Sequence, residues 1–264
     1  SRTWPTPSAS TRPANAASAG SEHRRARGVA LYRDQGIVLR TYKLGEADRI
    51  VSIITERHGK VRAVAKGVRK TKSKFGARLE PTSHVALQLY EGRELDIVTQ
   101  AESIDHFRPI RDDLDRLGRA VTMLESVDQV AMEREPNPAL YRMLLGALRS
   151  LAARNTPLVV AGFHWKLLAL EGFRPVVETC VLCEEDEDLV AFDPVEGGLL
   201  CSQHRRGTRV SPAAVELLRQ ILGGRLAQAL DEPASPATHE VEHLATRVVE
   251  HHLERRLRSV GVLE

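Results

Sequence analysis

Short runs of apolar and β-branched residues, separated by turn residues, predict strands in the first part of the chain. We predict five strands between residues 31 and 104, over residues 36–42, 49–55, 60–66, 83–90 and 94–102. Arg57-His58-Gly59 and Glu91-Gly92-Arg93 predict hairpin turns. Five short strands with a longer connection between the third and the fourth are typical of an OB-fold barrel, although an SH3-like barrel has as many strands.

The spacing of apolar residues changes to three and four after His106, which predicts helices. The first predicted helix carries Asp112 and Asp113 in its first turn, where the helix dipole favours acidic side chains. The residues expected on its buried face are Leu114, Leu117, Val121, Leu124, Val127 and Val130.

Proline and capping residues mark the starts of four further predicted helices. The starts are at Asn137-Pro138, at Thr156-Pro157, at Ser211-Pro212 and near Pro236, with the last helix ending near Val260. The helix that begins at Asn137 should bury Leu140, Leu144, Leu148 and Leu151. We expect all five helices to pack into one bundle.

The charge of the chain is unevenly distributed, although its 264 residues carry a net charge of only +3. Residues 1–34 carry +4, residues 35–83 carry +8 and residues 84–264 carry −9. A basic barrel joined to an acidic remainder indicates a polyanionic partner for the first part and protein partners for the rest. No apolar run approaches the roughly 18 residues that suggest a membrane span, so no membrane partner is expected.

Residues 1–29 are rich in Ser, Ala, Pro and Arg, and we predict a disordered tail. An organelle transit segment is an alternative, but such segments form amphipathic helices and the prolines at positions 5, 7 and 13 oppose a helix. An over-long translation start or a flexible basic tail would also account for this composition.

All three cysteines lie in one stretch, as Cys180-x-x-Cys183 and Cys201-x-x-His204, with 17 residues between the two pairs. This spacing predicts a zinc ribbon in which four protein ligands surround one ion and leave no open position, so the zinc should be structural. A disulfide within the cluster is the alternative. Cysteines committed to a metal favour a reducing compartment such as the cytoplasm.

Clustered Lys and Arg side chains on the predicted barrel indicate binding to nucleic acid, because such clusters release counterions from phosphates without reading the bases. The predicted DNA-binding residues are Lys43, Arg49, Lys60, Arg62, Lys66, Arg69, Lys70, Lys72, Lys74 and Arg78. The barrel's aromatic residues that could stack on bases are Tyr32, Tyr42, Phe75 and Tyr90. Because the barrel has so few aromatic residues, we expect contacts to the phosphate backbone of the nucleic acid to dominate over stacking on its bases.

A match to the zincin motif, His239-Glu240-x-x-His243, raises the possibility of a zinc hydrolase. On a helix, however, both histidines fall opposite the apolar face that begins at Val241 and Leu244. The chain also has no P-loop, no dinucleotide fingerprint and no nucleophile elbow. The sequence therefore predicts a binding protein rather than an enzyme.

Several segments of the first half resemble the bacterial RecO family of recombination mediators. They are residues 45–50 (GEADRI), 59–60 (GK), 65–69 (AKGVR), 74–81 (KFGARLEP) and 95–98 (LDIV). The likeness extends over about residues 30–262, with the helical half matching mainly in the order of its elements and in the ribbon. His204 departs from the four-cysteine ribbon of other members.

The resemblance implies a function in DNA repair and homologous recombination, in the RecF pathway. Such proteins bind single- and double-stranded DNA, anneal complementary strands without ATP and contact the single-strand binding protein. They act with RecR to load RecA at gaps coated by that protein. Many members combine an N-terminal OB-fold with a helical domain and a zinc ribbon.

Together these inferences predict an α+β multidomain protein in the bacterial cytoplasm, associated with the nucleoid. Its parts would be a tail (1–29), an OB-fold DNA-binding domain (30–106), a helical domain in two sections (107–178 and 208–264) and an inserted zinc ribbon (179–207). A zinc-ribbon RNA-binding protein and a zinc hydrolase are the alternative functions.

Overall fold

The computed structural model describes residues 31–70, 73 and 75–253. The predicted tail, the last residues of the predicted fifth helix and two predicted DNA-binding residues, Lys72 and Lys74, lie outside the described residues. None of the helices in the described part is long and apolar enough to cross a membrane.

Five strands near the N-terminus form a closed barrel. They are β1 (Leu31–Leu44), β2 (Asp48–Thr55), β3 (Gly59–Ala65), β4 (His84–Tyr90) and β5 (Asp96–Asp105). Around the barrel the order is β1-β2-β3-β5-β4, with a short parallel contact between β3 and β5 and antiparallel contacts elsewhere. The barrel confirms the predicted OB-fold.

After the barrel, the described residues form seven α-helices and a small three-stranded sheet. The helices are α1 (Arg108–Arg111), α2 (Leu114–Val130), α3 (Pro138–Ala153), α4 (Leu158–Leu170), α5 (Pro212–Leu222), α6 (Leu226–Ala229) and α7 (Pro236–His252). The strands β6 (Leu189–Asp193), β7 (Gly198–Cys201) and β8 (Thr208–Arg209) form the small sheet in the order β7-β6-β8. The short helices α1 and α6 were not predicted.

Three of the four helix starts predicted from proline and capping residues are confirmed by side-chain caps, whereas α4 begins at Leu158, after Pro157, without a side-chain cap. Asn137 accepts a hydrogen bond from the N–H of Leu140, and Ser211 accepts one from the N–H of Ala214. Ser235 caps α7 in the same way, through the N–H of Thr238. Each cap satisfies an amide that the first helical turn cannot pair, which explains why the polar-then-proline pattern located these starts.

The predicted buried face of α2 is confirmed only in part. Leu124 and Val127 are buried as predicted, but Leu114 is 81% exposed and Val121 is 37% exposed, and Ala120 and Met123 are buried instead. The hydrophobic pattern fails because two hydroxyl residues share the buried face. Thr122 Oγ1 donates to the carbonyl of Gly118, and Ser126 Oγ donates to the carbonyl of Thr122, so both can lie inside.

The first turn of α2 also differs from the prediction. Asp113 is the N-cap and accepts a hydrogen bond from the N–H of Arg116. Asp112 instead ends the short helix α1, where its backbone N–H donates to the carbonyl of Arg108. Of the two predicted acids, only Asp113 therefore supports the start of α2, where Asp115 lies in the first turn.

The barrel is attached to the helices through the outer face of β1 and β2. Val38 points into the barrel core, while its neighbours Ile37 and Leu39 join a cluster with α2 and α3, because successive residues of a strand face opposite sides. His84 Nε2 on β4 lies 2.7 Å from the hydroxyl of Tyr141 on α3. This part of β1 is therefore buried on both faces.

The small sheet shares a second hydrophobic core with α4, α5 and α7. The rings of Trp165 on α4 and Phe192 on β6 lie 5.8 Å apart between centroids. The ribbon that contains this sheet is therefore packed on the helices that precede and follow it.

Candidate nucleic-acid interface and metal centre

The loop after β3 is fastened to the turn between β1 and β2. The N–H of Gly67 donates to the carboxylate of Asp48 over 2.7 Å, and the N–H of Arg69 donates to the carbonyl of Ala47 over 3.0 Å. Gly67 and Gly45 both have positive φ angles, which glycine adopts without strain. These contacts hold two basic segments side by side at one end of the barrel.

Five of the ten predicted DNA-binding residues meet at this end. Lys43 faces Arg49 across the β1–β2 ladder, and Arg49 faces Ala65, which precedes Lys66. We name this surface the basic end, and it consists of Lys43, Arg49, Lys66, Arg69 and Lys70. Four of these side chains are exposed, and Arg49 is half-buried and paired with Glu80 at 2.7 Å.

Two other predicted residues face the helical part instead. Lys60 Nζ donates to the carbonyl of Asp128 over 2.6 Å, and only 14% of the Lys60 side chain is exposed. Arg62 pairs with Glu133 at 3.4 Å. Since these two cations already have acidic partners, they are less available to phosphate than the exposed lysines of the basic end. Arg78 is half-buried in the 3₁₀ turn Gly76–Leu79.

Asp128, at the end of α2, is a residue that the sequence pattern did not single out. Its carboxylate accepts from Ser52 Oγ at 2.9 Å and pairs with Arg40 at 3.5 Å. No local signal could have indicated this role, because Asp128's partners Lys60, Ser52 and Arg40 lie 68, 76 and 88 residues earlier in the chain. Asp128 covers part of the outer face of β1 and β2.

The aromatic residues of the barrel differ in their exposure. Phe75 is buried in the barrel core, and the hydroxyl of Tyr32 donates to the buried Asp96. The prediction is therefore wrong for Phe75, whose ring is buried, while Tyr32 is half-buried with its ring 4.5 Å from that of His58 between centroids. Tyr42 and Tyr90 are exposed, and Tyr42 is adjacent to Lys43 in the basic end.

The predicted zinc ligands come together in space. Cys183 Sγ lies 3.7 Å from Cys201 Sγ, and His204 Nδ1 lies 3.3 Å from Cys201 Sγ and 3.8 Å from Cys180 Sγ. All four ligand atoms lie within 4.8 Å of one another. Two thiolates about 2.3 Å from a tetrahedral zinc ion would be about 3.8 Å apart, so the cluster has room for one metal ion.

The alternative of a disulfide is not supported, because all three cysteines are free thiols and a disulfide requires a separation of about 2.05 Å. Burial raises the pKa of the Cys180 thiol, but the N–H groups of Cys201, Leu182 and Cys183 point at its sulfur and lower the pKa to about 6. At Cys180 the backbone therefore favours the thiolate, which is the form that binds a metal. At Cys183 a hydrogen bond from the backbone of Glu185 lowers the pKa of the thiol, but desolvation and the hydrogen bonds to the sulfurs of Cys180 and Cys201 raise it to about 11.

The ribbon's backbone positions the ligands through tight turns. The N–H of Glu184 donates to the carbonyl of Cys180 over 2.9 Å, and Glu184 has a φ of 64°. The 3₁₀ turn Ser202–His204 directly follows Cys201 and returns His204 to the cluster. Between the two pairs, Asp193 pairs with Gly198 at the closed end of the hairpin of β6 and β7.

The zincin motif does not form a metal site in the described part of the chain. His239 and His243 are exposed, and Glu240 accepts hydrogen bonds from the N–H and hydroxyl of Ser211 at 2.7 and 2.6 Å. Glu240 thus supports the start of α5. Among the described residues, the cysteine–histidine cluster is the only group of His, Cys and acidic side chains close enough to share an ion.

Comparisons with known proteins match almost the whole described chain. Residues 29–107 match the family described as "Recombination protein O N terminal", and residues 111–260 match "Recombination protein O C terminal". A curated relative from Nocardioides sp., "DNA repair protein RecO", is 44% identical over 243 residues, which cover 89% of this chain and 99% of the relative. This family consists of DNA repair proteins rather than catalytic enzymes, in agreement with the prediction. The chain therefore belongs to the RecO family.

Proposed function

We propose that this protein binds single- and double-stranded DNA through the basic end, anneals complementary strands and, with RecR, helps load RecA at gaps. The observation that carries the proposal is the attachment of the loop after β3 to the β1–β2 turn, which gathers five cations at one end of an OB-fold. OB-folds commonly bind single strands through such grooves and loops. The similarity to a DNA repair protein favours DNA over RNA as the substrate.

The proposed mechanism of annealing is electrostatic. Lys43, Lys66 and Lys70 are exposed, and the described part of the chain offers them no ion pair, so their charges are available to phosphate. A positive surface lowers the repulsion between two backbones and raises the local concentration of the second strand. No covalent step and no nucleotide hydrolysis is required.

We propose that one structural zinc ion is held by Cys180, Cys183, Cys201 and His204. Three thiolates and an imidazole are a donor set that suits zinc. Because four protein ligands leave no position for a substrate, the ion would stabilise the ribbon and take no direct part in annealing.

We further propose that the acidic C-terminal tail of the single-strand binding protein docks in a groove of about 250 Å³ between α3, α4 and α6. Its apolar lining includes Met143, Phe163 and Leu226, and the exposed cations Arg142 and Lys166 flank it. An acidic peptide with an apolar end would satisfy both features. The groove lies in the helical part, away from the basic end, so tail and DNA could bind together.

A charge-reversal experiment tests the DNA interface. Lys43→Glu, Lys66→Glu and Lys70→Glu together should weaken single-strand binding at least about tenfold and reduce the salt slope, since about 0.7 is lost per phosphate contact. The matched control reverses Arg33, Arg57 and Arg93, which are exposed near the opposite end of the barrel and change the net charge equally. Equal losses in both triple variants would contradict a localised interface.

A further inference from the structure

The outer face of strands β1, β2 and β3 has two halves. Side chains from the helical part cover one half, and the other half is open to solvent. Asp128 and Glu133 cover the half that contains Ser52, Lys60 and Arg62. The open half is a row across the three strands, because Tyr42 pairs with Ile50 and Ile50 pairs with Val64. In an OB-fold this face and the neighbouring loops receive oligonucleotides.

Tyr42 is the aromatic residue of this row, and its ring is held from one side. The guanidinium of Arg40 lies 5.1 Å from the centre of the ring, a cation–π distance. Arg40 is itself paired with Asp128 at 3.5 Å, so the end of α2 fixes the cation that supports the ring. Tyr42 nevertheless keeps 43% of its surface exposed.

The surroundings of Tyr42 suit a nucleotide of a single strand. Lys43, the next residue, points to the opposite side of the β1–β2 hairpin and belongs to the basic end. Ile50 and Val64 are half-buried apolar neighbours, and Lys66 follows β3 two residues after Val64. A strand crossing the edge of this hairpin would meet cations along its backbone and an aromatic ring beside its bases.

We propose that Tyr42 is a stacking platform for a base of single-stranded DNA, with Arg40 and Asp128 as its positioning residues. The proposal rests on the DNA-binding function proposed above and adds a contact that distinguishes single strands from duplex. Bases in a duplex are already stacked on one another and cannot cover the ring. Because every base has an aromatic face, the contact would be tolerant of sequence.

Stacking on a base and neutralisation of phosphates have different effects on how the affinity for DNA depends on salt concentration. Loss of a stacking contact lowers the affinity by about 5- to 150-fold per base at any salt concentration. It leaves the salt slope unchanged, because no counterion is released by a stacked base. Loss of a lysine at the basic end lowers the slope itself.

The test compares Tyr42→Ala with Tyr42→Phe and with Tyr90→Ala, an exposed tyrosine outside the basic end, in binding to oligothymidylate over a range of salt. Tyr42→Ala should lose at least about fivefold in affinity with an unchanged slope and unchanged duplex binding. Tyr42→Phe and Tyr90→Ala should bind like the parent protein.

A second measurement uses the parent protein alone, so it does not depend on how the variants fold. An abasic strand of the same length and charge should bind more weakly than oligothymidylate by a similar factor. Equal binding of the two strands, or an altered slope in Tyr42→Ala, would overturn the stacking role while the DNA function stands. Failure of the parent protein to bind any single strand would instead overturn the function on which the role rests.

Discussion

His164 lies in the middle of α4 and is completely enclosed by the helical bundle. Its Nε2 lies 3.0 Å from Ser126 Oγ on α2, and its Nδ1 lies 3.4 Å from Thr246 Oγ1 on α7. Burial lowers the pKa of His164 to about 3, because no charged partner compensates for the loss of water. The imidazole therefore remains neutral in the folded protein at neutral pH.

This buried histidine predicts a loss of stability in acid. The unfolded chain binds a proton at His164 below a pH of about 6.5, whereas the folded chain does so only near 3. The contribution of the neutral, buried His164 to the free energy of unfolding is therefore complete above pH 6.5. It declines as pH falls towards 3, by up to about 1.4 kcal/mol per pH unit.

Denaturant unfolding of the parent protein and of His164→Gln at pH 7.5 and pH 5 measures this contribution. The difference in unfolding free energy between the two proteins should shrink at pH 5. His251→Gln, an exposed substitution on α7, serves as the control and should follow the parent protein at both values. An unchanged difference for His164→Gln would contradict the assignment.

At the same scale, the sequence located the four residues of the candidate metal site but not the partners of the barrel cations. These four residues lie within 25 positions of one another, so their spacing was enough to predict that they come together. Lys60 and Arg62 meet Asp128 and Glu133, about seventy residues away, and no local pattern encodes such a pairing. Phe75 was misjudged for a related reason, because its loop folds back into the barrel.

Among the elements, the ribbon combines the candidate metal site with an extensive apolar contact to the helices. Arg219 on α5 donates to the carbonyls of Val177 and Glu178 at 3.1 and 2.9 Å, just before the first ligand. Arg206, two residues after His204, pairs with Asp193 and Glu196 of the hairpin. Loss of the ion would therefore loosen one end of a segment that other contacts keep in place.

Replacing Cys180 with serine should abolish stoichiometric zinc binding and lower the free energy of unfolding by at least about 2 kcal/mol, or roughly 4–8 °C in Tm. Zinc content and thermal unfolding are the measurements. Val195→Ser, at the exposed tip of the same hairpin, should change neither. DNA annealing should decline only with loss of fold, so selective loss of annealing in fully folded Cys180→Ser would give the ribbon a direct role.

Element types and starts were predictable where the pattern and the caps agreed, as in α3, where all four predicted leucines are buried. The face of α2 was not predictable from hydrophobicity, because Thr122 and Ser126 take buried positions and Leu114 does not. The choice between an OB-fold and an SH3-like barrel required the order of the strands, which depends on contacts distant in sequence.

Across the whole molecule, the basic barrel and the acidic helical part form ion pairs with each other, but these pairs neutralise only some of the barrel's cations. The acids at the end of α2 pair with barrel cations on one face, and the basic end remains exposed on another. The groove between α3, α4 and α6 offers a third surface with its own positive charge. Such a division would let one molecule hold DNA and a DNA-bound protein simultaneously.

Annealing of strands coated with single-strand binding protein tests this division. Arg142→Glu with Lys166→Glu should slow annealing of coated strands at least about tenfold, since two charge-assisted contacts are lost, and leave annealing of bare strands unchanged. Gly146→Leu, which fills the groove without altering charge, should act in the same direction, because the groove is open above Gly146.

A control for the proposed docking groove uses an altered form of the single-strand binding protein. Coating the strands with single-strand binding protein that lacks its acidic tail should remove the difference between the parent protein and both groove variants. A defect of the same size on bare strands would mean that the groove residues act on DNA or on folding instead.

The loop between α2 and α3 completes the barrel where β5 does not reach. β3 pairs with β5 only at Ala63 and Val64, while Lys60 bridges to Glu133 and the N–H of Arg134 donates to the carbonyl of Lys60 over 2.9 Å. Gly59 has no room for a side chain, since a Cβ would lie 1.9 Å from the carbonyl oxygen of Glu135. A fragment cut after the barrel would leave this strand edge unpaired and open to association with other chains. In this chain the segment that follows the barrel therefore completes the hydrogen bonding of the barrel's own strand β3.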